Sequence, residues 1–124
     1  MLTPESIFRI VLPIKTVSEA NCRWHYMKKH TFHKKQKEII ALVANQFPTD
    51  LPLHIKLTRI APGTLDKHDN LPCSMKYVYD AICGVITPGL RPGFADDNEL
   101  ISVSYDQSRG KLGEYSVMIE FFKP

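Results

Sequence analysis

Phe8, Ile10, Leu12 and Ile14 alternate with their neighbours along residues 6–14. A period of two marks a half-buried strand, and Pro13, which cannot donate to a ladder, sets its end. An irregular stretch is expected to follow. From about Phe32 to Gln46, Ile39, Ile40, Leu42, Val43 and then Phe47 fall at helical spacing, which predicts a helix with the preceding lysines on its first turns and Pro48 as its stop. Leu53, Ile55 and Leu57 alternate with His54, Lys56 and Thr58 as a second strand, closed by Pro62-Gly63. A second helix is predicted from Asp69 or Asn70 to about Cys83, because Asx residues cap helices and Pro72 is tolerated in a first turn. Pro88, Gly89, Pro92 and Gly93 make residues 87–94 a loop. Ile101, Val103 and Tyr105, then Tyr115, Val117, Ile119 and Phe121, flank Gln107-Ser108-Arg109-Gly110 and predict a closing hairpin. The expected fold is one α+β domain over residues 1–124, in the order β-α-β-α-β-β, with two main helices and a mixed or antiparallel sheet.

Composition supports a globular chain: 124 residues, 44% hydrophobic and 23% charged. These values exclude disordered and collagen-like classes. The longest apolar run, Ile39 to Ala44, is too short to cross a bilayer, so no membrane partner is expected. The opening Met1-Leu2-Thr3-Pro4-Glu5 lacks the basic start of a signal peptide. Cys22, Cys73 and Cys83 are an odd number without a C-x-x-C pair, which suits a reducing compartment better than a disulfide framework. A soluble, cytoplasmic protein is the expectation.

The net charge is only +3, but it is segregated. Arg23, Lys28, Lys29, Lys34, Lys35 and Lys37 lie within fifteen residues that contain no acid, interleaved with Trp24, Tyr26, His25, His30 and His33. Cations displace counterions from phosphates and flat rings stack on unpaired bases, so this composition suits a nucleic acid; a solvated helix face is the plainer reading. Asp66, Asp69, Asp80, Asp96, Asp97 and Glu99 gather six of the thirteen acids farther along. On a helix starting at Asp69, Lys76 and Asp80 fall within roughly 20° of its line, at about 100° per residue. Oxygen ligands converging from a helix start and two loops are what a hard divalent cation requires, with magnesium the natural candidate. Such a cation activates water and steadies charge on a phosphate, and Lys76 can neutralise an oxyanion. Taken singly, Asp69 also reads as a cap, Asp96 as a turn former, and Asp80 and Lys76 as surface charges.

The runs Leu65-Asp66-Lys67-His68-Asp69-Asn70-Leu71, Tyr79-Asp80-Ala81-Ile82 and Gly93-Phe94-Ala95-Asp96-Asp97, with Val103 to Gln107 and Tyr115 to Phe121, resemble the RusA-type Holliday junction resolvases, phage-type members in particular. Val11-Leu12-Pro13 and the Asn21/Arg23 loop extend the resemblance over most of the chain. It implies a homodimeric endodeoxyribonuclease that uses Mg2+ or Mn2+ to nick branched, four-way DNA symmetrically, in DNA recombination and repair, in a bacterial or phage-infected cell at the nucleoid. It also implies Asp69 and Asp97 as metal ligands and catalytic residues, with Lys76 the nearest match to a helix lysine. Lys67 stands where the family usually has a further aspartate, a place Asp66 would fill from one residue farther out. Asp96 joins the metal set, Asp80 orients it, and Arg23 to Lys37 with Trp24 contact DNA. Three other readings stay open. One is a DNA-binding protein of the same fold with a degraded metal site. Another is a small domain stabilised by zinc on Cys22, His25, His30 and His33. The last is an interaction protein without chemistry.

Overall fold

The computed structural model describes residues 6–16, 26–65, 70–86 and 100–124. Its elements follow the expected order: β1 (Phe8–Leu12), α1 (Tyr26–Val43) with a 3-10 turn (Ala44–Gln46), β2 (Leu53–Ala61), α2 (Asn70–Ile86), β3 (Ile101–Arg109) and β4 (Ser116–Phe122). Together they form a single α+β domain with a mixed four-stranded sheet, ordered β1-β4-β2-β3.

β2 and β3 run parallel, Leu53 opposite Ile101 and Arg59 opposite Gln107, as a strand–helix–strand unit through α2 allows. β4 inserts antiparallel between β2 and β1, with Leu57 opposite Ile119 and Phe8 opposite Phe121. The expected β3–β4 hairpin is therefore corrected. Both strands exist, but each pairs with a different edge of β2. Alternation predicts a strand without naming its neighbour, and Gln107 to Arg109, expected as a turn, are the last residues of β3, paired with Arg59 to Ala61; the chain turns only after Gly110, whose N donates to Ala61 O at 2.8 Å.

Both helices lie on one face. Leu53, Ile55, Leu57, Val117, Ile119 and Phe121 are fully enclosed there, packed with Leu71, Met75, Val78, Ile82 and Ile86 of α2 and with Ile40 of α1. The spacing 71, 75, 78, 82, 86 is the apolar stripe of an amphipathic helix. Burying one such side chain stabilises by about 1.5–3 kcal/mol. The opposite face of the sheet is mixed, with Val11, Ile60, Met118 and Phe122 among its charged and polar residues, and bears no helix among the described residues. There Arg9 pairs with Glu120 at 3.3 Å and Lys56 with Asp106 at 3.7 Å. His54 there bridges Ser102 Oγ (2.7 Å from Nδ1) and Ser104 Oγ (2.9 Å from Nε2).

α1 begins at Tyr26, six residues before the expected Phe32. The basic segment from Lys28 to Lys37 is thus helix body, because Lys, Met, Gln and Glu are good helix formers even where no apolar stripe advertises them. α2 runs three residues past Cys83, to Ile86, and keeps Pro72 in its first turn as expected. Residues 87–94, predicted as a loop, lie outside the described residues. No helix among the described residues is long and apolar enough to cross a membrane.

Candidate nucleic-acid interface

The lysines of the basic segment sit on α1. Lys28, Lys34, Lys35 and Lys37 are exposed, and Lys29 lies in the same helix. Glu38 is the single acid of α1, and Lys34, Lys35 and Lys37 make no hydrogen bond or ion pair among the described residues. α1 is anchored from its inner side by buried Ile40 and by buried Gln36, whose Nε2 donates to Lys15 O at 3.2 Å. The anchor leaves the cationic side outward.

Against α1 stands Tyr77 of α2. The His33 and Tyr77 rings stack with centroids 3.5 Å apart and planes 20° from parallel. With His30, Lys34 and Lys37 they line a depression of about 210 Å³. Of the expected helix pair on α2, Lys76 is exposed and Asp80 is half-buried one turn on. Arg23, Trp24, Asp66, Asp69, Asp96 and Asp97 lie outside the described residues, as do Cys22 and His25 of the zinc alternative. His30 is exposed while His33 is committed to its stack on Tyr77. Among the described residues no three His, Cys, Asp or Glu side chains gather as a metal-binding group.

Two residues that sequence reasoning missed organise the loop that leads toward Asp66. Gln107 clamps Leu65 from both sides: its Oε1 accepts from Leu65 N and its Nε2 donates to Leu65 O, each at 2.8 Å. Opposite it in the parallel register, Arg59 is buried and donates through Nη1 to Gly63 O at 2.8 Å and through Nε and Nη2 to Thr16 O at 3.4 Å. Burial holds the Arg59 guanidinium below its ordinary value, with Tyr115 acting weakly the other way. One strand pair therefore ties down both the segment after β1 and the segment after β2. In open sheets ligands gather outside the carboxyl ends of parallel strands, and Gly63 and Leu65 follow that end of β2. The signal in sequence was faint: an arginine and a glutamine at positions where the strand period calls for apolar residues.

No protein-family model and no curated protein matches this chain.

Proposed function

We propose that this chain is a metal-dependent endodeoxyribonuclease that nicks four-way DNA junctions. The observation that supports it most is the face of α1, where the exposed Lys34 and Lys37 border an aromatic stack and Lys35 adds charge farther round the helix. Such a face suits a phosphate backbone with distorted or unpaired bases nearby. The resemblance to RusA-type resolvases supplies the reaction, the dimer and the acidic residues.

Asp66, Asp69, Asp96 and Asp97 are the residues that would hold the metal. An all-carboxylate donor set, free of Cys and His, fits Mg2+ or Mn2+. When bound, that ion lowers the pKa of the attacking water and neutralises charge on the scissile phosphate. Within this reading Lys76, exposed on α2, stabilises charge developing on a phosphate oxygen, and Asp80 orients its neighbours. Gln107 and Arg59 hold the backbone entering the acidic loop, so that its carboxylates reach the phosphate pre-positioned. The lysines of α1, with Arg23 and Trp24 before them, engage the arms of the junction. A second copy of the chain would provide the symmetric second nick. The place of action in this reading is the cytoplasm of a bacterial or phage-infected cell, at the nucleoid.

The test is incubation of purified protein with a synthetic four-way junction and with linear duplex of the same sequence, with and without Mg2+, beside Asp69→Asn. Junction-selective, Mg2+-dependent nicking that the substitution abolishes is the expected result. Tight junction binding without nicking would point instead to a binding protein in which Lys67 marks a lost catalytic position.

A further inference from the structure

α1 breaks two rules that govern stable helices. Its first turn carries Lys28 and Lys29 and no acid, although the positive end of the helix dipole favours carboxylates there. His30, His33, Lys34 and Lys37 also fall at the spacing that brings side chains together on one face, where the Lys34 and Lys37 ammonium groups repel each other. Among the described residues the buried anchors of this stretch are Gln36 and Ile40, and neither calls for the lysines. A local rule broken without structural gain is the mark of a functional site.

The structure shows what this stripe faces. His30, His33, Lys34 and Lys37 surround a depression of about 210 Å³ whose far wall is Tyr77 of α2, and no carboxylate among the described residues lines it. Lys34 and Lys37 bring two ammonium groups, and His30 an imidazole, to one mouth. The His33–Tyr77 stack makes a flat, supported wall, because each ring is held by the other and by its own helix. From these features we infer that the depression between α1 and α2 is a subsite for one phosphate ester of a nucleic-acid strand. Lys34, Lys37 and His30 hold the phosphate oxygens, and the ring pair packs the attached sugar or base. The site takes its phosphate from a polynucleotide backbone and not from a free monoester, because α1 carries further exposed lysines, Lys28 and Lys35, outside the depression. This inference rests on the nucleic-acid part of the proposed function. It is independent of the metal chemistry.

Binding of a fluorescent oligothymidylate and of a four-way junction to the full chain, titrated with KCl, tests it. Removing one phosphate-binding cation lowers the slope of log affinity against log salt by roughly 0.7 on single strands and 0.9 on duplex. Lys34→Gln/Lys37→Gln should therefore flatten the slope by about 1.4 to 1.8. Lys56→Gln/Lys111→Gln, which removes the same charge elsewhere, should leave it nearly unchanged. Tyr77→Ala should weaken single-strand binding by roughly tenfold or more, the effect of one base no longer stacked, and Tyr77→Phe should restore it. The lysine pair is exposed, so the test stands even where the Tyr77 change harms folding. Equal slopes for the two lysine pairs would overturn the subsite. Inorganic phosphate or a mononucleotide displacing the oligonucleotide at equal concentration would overturn the strand assignment in favour of a free phosphate ester. Nicking abolished while these slopes hold would count against the endonuclease reading alone, and intact nicking with equal slopes would count against this subsite alone.

Discussion

Gln107 offers the sharpest test of how the loop before Asp66 is held. Its side-chain amide makes two 2.8 Å hydrogen bonds to the backbone of Leu65, one in each direction. At about 1 kcal/mol net for each bond, Gln107→Ala should cost about 2 kcal/mol, or about 8 °C in Tm for a domain of this size. Gln107→Glu separates the two bonds. An ionised glutamate still accepts from Leu65 N but presents a negative oxygen to Leu65 O, whereas a protonated one donates to that oxygen as the amide does. The folded state thus favours the neutral acid and raises its pKa above the unfolded value. The stabilisation is fully present below the unfolded carboxyl range and is lost as pH rises through the folded pKa. Relative to the unsubstituted protein at the same pH, Gln107→Glu should be nearly as stable near pH 4 and as weak as Gln107→Ala at pH 7. Urea unfolding across pH, with hydrogen exchange at the Leu65 amide, reads both effects. If Gln107→Glu matched the unsubstituted protein at pH 7, Leu65 O could not be a Gln107 acceptor and the clamp would be refuted.

Other outcomes follow from burial and backbone geometry. Arg59→Met should cost about 3 kcal/mol, since charged hydrogen bonds contribute about 1.5–3 kcal/mol and Thr16 O and Gly63 O both lose their donor; Arg59→Lys, lacking the planar fork, should recover only part of it in chemical denaturation. Ile82→Ala should cost about 2–5 kcal/mol because the side chain is fully enclosed, while Leu42→Ala, at 80% exposure, should stay within about 0.5 kcal/mol; urea midpoints distinguish them. Gly113 has φ of +79° with open space around it, so Gly113→Ala should lose about 1–2 kcal/mol from backbone strain alone, seen as a lowered Tm.

The strands were legible because their period of two is written directly into the chain, as in Leu53-Ile55-Leu57, and α2 because the Asx residues and Pro72 mark its start. The pairing was not. Tyr105 and Ile119 occupy equivalent positions on opposite sides of Leu57, and alternation contains no record of which side is which. The start of α1 was misplaced because the apolar stripe begins only at Ile39, while helix-forming lysines and Gln36 carry the helix back to Tyr26. At the candidate interface, the lysines were visible as a run without acids. Tyr77 was not, since its stack on His33 depends on how two helices pack. Arg59 and Gln107 escaped for the same reason. Their joint role exists only in the parallel register that sets them side by side.

The place of β4 in the sheet also bears on how the chain matures at the ribosome. β4, the last strand in sequence, lies between the first two and joins Phe8 to Phe121 and Ile55 to Phe121. Until residue 122 has been synthesised, β1 has no neighbour in the sheet and β2 has only its parallel partner β3. The α2 unit can assemble early from nearby contacts, but the enclosed apolar face of β2 stays partly open until β4 arrives. Closure of the sheet therefore waits for its last strand, and a nascent chain stalled before Ser116 would be a client for chaperones that shield apolar strands.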